Sequence, residues 1–332
     1  MLAERLAKRM KHLVKWGRKQ GISCFRLYER DIPEFPLIID WYAHEDAVDY
    51  AHEGDAIIWF RDRKKDETLE QSLAYRRTVE HEVLAGLGID ASQIHLKYRG
   101  RQRDETGGRE QYERLDTKKH EKVVVEHDAR FIINLSDYLD VGLFLDHRPT
   151  RRAVRERAEG KSVLNLFAYT GAFSVHARAG GAIETTTVDM SKTYLDWYER
   201  NLAENSFALD ADHVAVHADC LQWLEEQSAD RKRFDIIICD PPTFSNSKRM
   251  KKDSFSIDRD HSQLISKLTE LVAPGGEIYF STNARGFTLD EASIDEGFGV
   301  REISNRSVPD DFRNREIHRC WRIAEGWISK PR

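Results

Sequence analysis

Four positions that can bind or react fall at the ends of successive apolar runs. The run SVLNLFA from Ser162 continues through Tyr169-Thr-Gly171 into a helix-like segment, and a glycine there lets the backbone approach a ligand at the strand's carboxyl end. Eighteen residues later the second run ends in Val188-Asp189-Met190, which puts a carboxylate where a ribose diol is held. Asp219-Cys220 follows the third run, suited to an adenine amino group, and Asp240-Pro-Pro-Thr243-Phe244 follows the fourth. Asn165, Phe167, Tyr169 and Met190 belong to the same strand ends and are assigned to the same ligand. Neither GxGxxG nor a Walker lysine is present, so a pyrophosphate ligand is disfavoured. An elongated nucleoside with a cationic, phosphate-free tail fits the four positions, and S-adenosylmethionine fits that description. Any one strand-end Asp also serves as a helix cap. The order on four strands carries the reading.

Positioning these residues takes a sheet whose strands all end at one edge. From Ser162 the chain alternates apolar strand and helix (SVLNLFA, TTTVDM, HVAVHADC, FDIIICD, EIYFSTN), which predicts a parallel sheet covered on both faces. A doubly wound α/β domain is therefore expected at 146–332, after a mixed α/β domain at 1–145. In the latter, Leu2, Leu6, Met10, Leu13 and Val14 mark one face of a helix over 1–20. Short β-rich runs follow at Leu37–Tyr42, Ala47–Tyr50 and Ile57–Phe60, then a helix over 67–87 striped by Leu69, Leu73, Val83, Leu84 and Leu87. Alternation at Ile94, Leu96 and Tyr98 predicts a strand, and the polar stretch 100–119 reads as a flexible hairpin loop before VVVEH and FIINL.

With 332 residues, 40% hydrophobic and 33% charged, the chain is globular and of about two domains. No apolar run approaches a membrane span of roughly 18 residues, and the basic start lacks a signal-peptide core. A cytoplasmic location is expected. Four cysteines (Cys24, Cys220, Cys239, Cys320) show neither disulfide nor zinc spacing. The 52 Lys and Arg against 57 Asp and Glu give a net charge of −5 and no global field for nucleic acid. The case for RNA rests on local strings: Lys248-Arg249-Met250-Lys251-Lys252 beside the Asp-Pro-Pro turn, Arg285, Arg313 and Arg315, and Arg99, Arg101 and Arg103. Asp258 and His261 lack a third ligand nearby and read as helix capping and loop anchoring, so no metal is expected.

NLSDYLDVGLFLDHR (134–148), LNLFAYTGAFSVHA (164–177), TTTVDMSKTYLDWYERNL (185–202), DPPTFSNSKRM (240–250), RDH (259–261) and RNREIHRCW (313–321) are specific strings. Through them the chain resembles the N7-guanine methyltransferase half of the bacterial bifunctional 23S rRNA guanine methyltransferases, loosely as far as its N-terminus. The resemblance implies a Rossmann-like, class I S-adenosylmethionine-dependent methyltransferase domain with a mainly parallel seven-stranded sheet, behind a smaller mixed α/β RNA-binding domain. It implies methylation of guanine N7 in the helix 74 region of 23S rRNA, in free rRNA or a large-subunit precursor. It also implies that Phe144, Asp146 and Arg148 close over the methionine end of the cofactor. Family members usually carry an upstream THUMP domain and an N2-guanine methyltransferase half. This sequence holds neither, so it is a free-standing version or a fragment, and a separate N2-guanine enzyme is a candidate partner.

Guanine N7 has an in-plane lone pair and no proton, so direct in-line attack needs neither a general base nor a covalent intermediate. Cytosine C5 chemistry needs a cysteine nucleophile, and the fifth strand ends in Phe280-Ser-Thr-Asn283 without one. Exocyclic-amine enzymes usually carry Asn-Pro-Pro-aromatic, where Asp240 and Thr243 stand here. Asp240 can oppose the cation that N7 alkylation creates, or merely hold the turn. Phe244 is the candidate platform for a flipped base. Asp240, Thr243 and Phe244 are thus the candidate catalytic residues. Lys248, Arg249, Lys251, Arg285 and Arg313 are the candidate RNA contacts. Exocyclic-amine or cytosine C5 methylation, and a non-catalytic assembly factor that binds the cofactor, are the competing readings.

Overall fold

The computed structural model describes residues 1–61, 68–99, 120–227, 232–245 and 254–327. Its contacts divide the chain into two compact units, Met1–Leu145 with Asp310–Asn314, and Asp146–Pro309 with Arg315–Arg332.

In the first unit, α1 (Leu2–Gln20) buries Leu2, Leu6, Met10 and Leu13, the stripe its spacing predicts. A four-stranded sheet runs β1 (Cys24–Glu29), β2 (Ile38–Ala43), β3 (Gly54–Arg61) and β4 (Ile94–Arg99) in spatial order. The first three are antiparallel, and α2 (Leu69–Leu87) carries the chain across to a parallel β4. Leu6, Leu13, Phe25, Trp41, Val79 and Val83 share the core, each fully buried side chain contributing roughly 1.5–3 kcal/mol.

Several expectations change here. Residues 47–50 form no strand, whereas β1 was not anticipated. Its charged residues are buried because they pair, Arg26 Nε donating to Asp40 at 2.9 Å and Arg26 Nη1 to Glu29 at 3.1 Å. On α2 the buried residues are Val79, Val83 and Leu87, while Leu69 and Leu73 lie exposed. In β4, Leu96 and Tyr98 are 44% and 46% exposed, and Lys97 between them is buried with its ammonium on the carbonyls of Tyr138 and Leu139.

After residue 119, β5 (Glu121–Glu126) and β6 (Ala129–Asn134) form a hairpin. His127 and Asp128 both take positive φ (50° and 66°), as the favoured two-residue hairpin turn requires. Asp310–Asn314, assigned from sequence to the second domain, joins the first. Asp311 accepts the Arg26 N–H at 2.8 Å, and Glu29 accepts those of Arg313 and Asn314 at 2.9 and 2.8 Å.

The second unit begins with α3 (Arg148–Arg155) and proceeds through β7 (Ser162–Leu166), α4 (Ala172–Ala179), β8 (Glu184–Asp189), α5 (Lys192–Glu204), β9 (His213–His217), α6 (Cys220–Gln227) and β10 (Phe234–Cys239). A small ribbon of β11 (Phe244–Ser245) and β12 (Phe255–Ser256) precedes α7 (Ile257–Leu271), β13 (Val272–Thr282), β14 (Phe298–Glu302), α8 (Ser304–Ser307) and β15 (Arg319–Glu325). The seven-stranded sheet has the order β14-β15-β13-β10-β7-β8-β9 and is parallel except for β15. Successive side chains point to opposite faces: Leu164, Ile237 and Phe280 enter one core, Val163, Ile236 and Tyr279 the other. Two buried faces explain the uninterrupted apolar runs. From β7 the chain winds outward to β9, then returns to β10 on the opposite side. That reversal is where open α/β sheets hold ligands, at the strands' carboxyl ends.

Candidate functional site

The loop leaving β7 is held in an unusual conformation, with Phe167, Tyr169 and Gly171 all at positive φ (54°, 52° and 71°). For side-chain-bearing residues this costs on the order of 1 kcal/mol each. Hydrogen bonds hold it there: the Phe167 N–H donates to Cys220 Sγ at 3.2 Å, and the Tyr169 N–H to Asp189 Oδ2 at 2.9 Å. Gly171 opens α4, and a Cβ on it would lie 2.0 Å from the Tyr198 ring. Conformation and space both demand glycine.

Asp189 also accepts the Ser191 N–H at 2.8 Å. Burial pushes its carboxyl up to about 6, against the pull of those two backbone donors. A carboxylate has about four lone-pair sites, so further acceptor sites remain for a diol. Asp219 caps α6 through the Leu221 N–H at 2.9 Å and stays half-exposed. Half-buried Met190 lends its carbonyl to His217 at 3.1 Å. Glycine approach, a carboxylate with spare acceptor sites and a second acid at the next strand end suit a nucleoside without phosphates.

Asn165 does not face this edge. It is buried with its amide donating to Ser174 Oγ at 2.9 Å, a hydroxyl that also receives Thr187 at 2.7 Å, so it braces β7 against α4. Phe144 lies in the first unit.

Beyond β10, Asp240 keeps 31% of its side chain exposed and receives the Ser281 hydroxyl at 2.6 Å. His147 Nε2 stands 3.4 Å from its other oxygen. His147 is buried, and burial lowers its pKa, so the ring is neutral at neutral pH. It stacks on His318 with centroids 4.3 Å apart and planes 8° from parallel. His318 Nδ1 in turn pairs with Asp146 at 2.8 Å and Nε2 with Ser307 at 2.9 Å. Asp146, read from the resemblance as facing the cofactor, thus orients His318, while Arg148 is buried. Thr243 donates to Asn283 at 2.7 Å, and Phe244 is 54% exposed on the ribbon. His147, Ser281, Asn283 and His318 went unassigned in the sequence. The histidines sit inside the quoted strings NLSDYLDVGLFLDHR and RNREIHRCW, but nothing local links His318 with Asp146, 172 residues before it.

All four cysteines are buried, and burial pushes the thiols of Cys220, Cys239 and Cys320 up. None of these three is a thiolate near neutral pH. Lys248, Arg249, Lys251, Arg101 and Arg103, and the loop at 100–119, lie outside the described residues, as does the Arg99 side chain. Arg285 is exposed beyond β13. Arg313 belongs to the first unit and donates to the Arg30 carbonyl at 3.1 Å, while Arg315 holds the carbonyls of Pro309 and Asn305. His261 anchors a loop: its Nδ1 meets the Ile257 carbonyl at 2.9 Å and its Nε2 accepts the Asp290 N–H at 3.1 Å. Among the described residues no helix is long and apolar enough to cross a membrane.

The sequence model of a family described as S-adenosylmethionine-dependent methyltransferase matches residues 48–309. Ribosomal RNA large subunit methyltransferase K of Neisseria meningitidis serogroup B is 44% identical over 321 residues, covering 97% of this chain and 86% of that protein. Ribosomal RNA large subunit methyltransferase K/L of Alcanivorax borkumensis is also 44% identical, over 97% of this chain but only 43% of its own length. The chain therefore spans less than half of such two-name relatives. A crystal structure of SMU.776 complexed with SAH shares the fold, with a TM-score of 0.69 at 22% identity over 97% of this chain and 80% of that one.

Proposed function

From the premise that the chain belongs to the S-adenosylmethionine-dependent methyltransferase family, we propose that it methylates N7 of a guanosine in 23S rRNA, in the helix 74 region. S-adenosylmethionine supplies an electrophilic methyl group on a sulfonium. The target nitrogen already carries its lone pair in the ring plane, so the protein's work is alignment and electrostatics.

The observation that carries this reading is the part-exposed Asp240 carboxylate, fixed by Ser281 and flanked by His147 at the end of β10. An oriented anion there opposes the positive charge that alkylation puts on the purine and accepts hydrogens from the base's Watson–Crick edge. The buried thiols speak against attack through cysteine. In this reading Asp189 holds the ribose, Asp219 the adenine amine, and Phe167, Tyr169, Gly171, Met190 and Cys220 shape the surrounding walls. Thr243 keeps Asn283 turned beside the turn, and Phe244 offers a stacking face for a base taken out of its helix. Arg285, and Lys248, Arg249 and Lys251 from their sequence position, grip phosphates, with the first unit as a further RNA-binding surface. A separate N2-guanine methyltransferase is the chain's candidate partner on the same RNA.

Incubation with labelled methyl donor and 23S rRNA fragments containing helix 74, followed by nucleoside analysis, tests the proposal. The expected product is 7-methylguanosine. N2-methylguanosine or 5-methylcytidine would overturn the specificity, and cofactor binding without transfer to any rRNA would overturn the catalytic reading.

A further inference from the structure

A second gathering of titratable groups lies in the first unit, and methyl transfer makes no use of it. Asp55 on β3 is buried. Ala43 pairs with Gly54 and Ile94 with Ala56, so the neighbouring strands bring His44 and His95 to its two flanks. One carboxylate oxygen meets His44 Nε2 and the other His95 Nε2, each at 2.8 Å. His120, just before β5, sets its ring edge-to-face against His95 with centroids 4.8 Å apart and planes at 76°. It is the one ring of the three with no side-chain hydrogen bond among the described residues. One donor atom each from Asp55, His95 and His120 lies within 4.8 Å of the other two.

We propose that Asp55, His95 and His120 form a binding site for a divalent transition-metal ion of the zinc type, with His44 steadying the carboxylate from behind. An imidazole lone pair lies in the ring plane, so an ion shared by two histidines must lie in both planes. Planes crossing at 76°, unlike stacked ones, meet in a line within reach of the pair, on which such an ion can lie after a small turn of either ring. Zinc takes imidazole nitrogen and carboxylate oxygen at roughly 2.0–2.2 Å, which sets tetrahedral donor atoms about 3.3 Å apart. The 2.8 Å Asp55–His95 hydrogen bond need open only slightly as the ion replaces its proton. Two nitrogens and one oxygen suit zinc, cobalt or nickel better than magnesium or calcium, which take all-oxygen sets. The fourth position goes to water. His44 Nε2–H on the free carboxylate oxygen acts as the outer partner that holds a ligand's orientation. The ion joins β3 and β4 to residue 120 and so stabilises the first unit by tying together segments distant in sequence.

The test uses the full chain without a histidine tag, stripped with a chelator and titrated with Zn2+ against a chromophoric competitor, and with Co2+ by visible absorption. One equivalent is expected, with Co2+ bands of tetrahedral intensity and a zinc-dependent rise in thermal midpoint. His95→Ala and His120→Ala should each weaken zinc at least ~100-fold, and His44→Gln about 10-fold. Should His95→Ala fail to fold by circular dichroism, the more conservative His120→Gln carries the same expectation. His318→Gln in the other unit should leave the stoichiometry at one. Absence of saturable zinc binding, or a site untouched by His120→Gln and His95→Ala, would overturn the proposal and leave a purely hydrogen-bonded His–Asp–His network.

Discussion

Each unit holds a cluster of histidines and aspartates, and the two are built for different ends. Around Asp55 the His95 and His120 rings cross at 76°, while beside Asp240 the His147 and His318 rings stack at 8°. One donor atom each from Asp146, His147 and His318 also lies within 4.8 Å of the other two, but near-parallel rings aim their in-plane lone pairs side by side rather than toward one point. This second cluster can pass orientation along a line instead: Ser307 and Asp146 hold His318, His318 supports His147, and His147 faces Asp240. The residue types are the same. The angle between the rings decides whether they converge or relay.

Asp240→Asn breaks the second cluster at its working end. A fall in turnover of about 10²–10³-fold is expected from losing an oriented charge that acts on the transition state. Methyl-donor affinity should stay within about threefold, as read by calorimetry. Equal losses in both would reduce the cluster to scaffolding and erase the contrast. His147→Gln sharpens it. Removing the support but not the anion should lower kcat by about 10-fold with little change in KM for RNA and no change in bound zinc, which a merely structural lesion would not reproduce.

The smallest effect concerns Asp189, which lies in neither cluster. With its pKa raised by burial to about 6, its carboxylate is lost below that pH. Cofactor affinity should weaken as pH falls through about 6, by up to tenfold per unit, and Asp189→Asn should flatten the profile. For the fold without ligand the sign is opposite: a carboxyl raised above its ordinary value favours the folded state below about pH 4, and that contribution disappears as pH rises through about 6. Circular dichroism melts across this range check it.

Gly171, Asp189, Asp219 and Asp240 stood out because each ends an apolar run, and a strand's end is a local fact. Strands β14 and β15 did not: Phe298–Glu302 and Arg319–Glu325 carry charged residues that become pairs only across the sheet, as Arg322 does with Glu277. For the same reason β1 hid its Arg26–Asp40 pair. Leu96 and Tyr98 misled in the other direction. Alternation reveals a strand but not which side the core will take, and here buried Lys97 found two carbonyls.

Periodicity and turn chemistry therefore determined the second unit's strand-and-helix alternation and the residues that stand at its strand ends, since these depend on neighbours a few residues apart. Tertiary structure alone decided that Asn165 turns inward, that Asp310–Asn314 returns to the first unit, and that His147 meets His318 flat while His95 meets His120 on edge. Ring orientation and charge pairing arise between residues that only folding brings within a few ångströms, and no spacing along the chain encodes an angle.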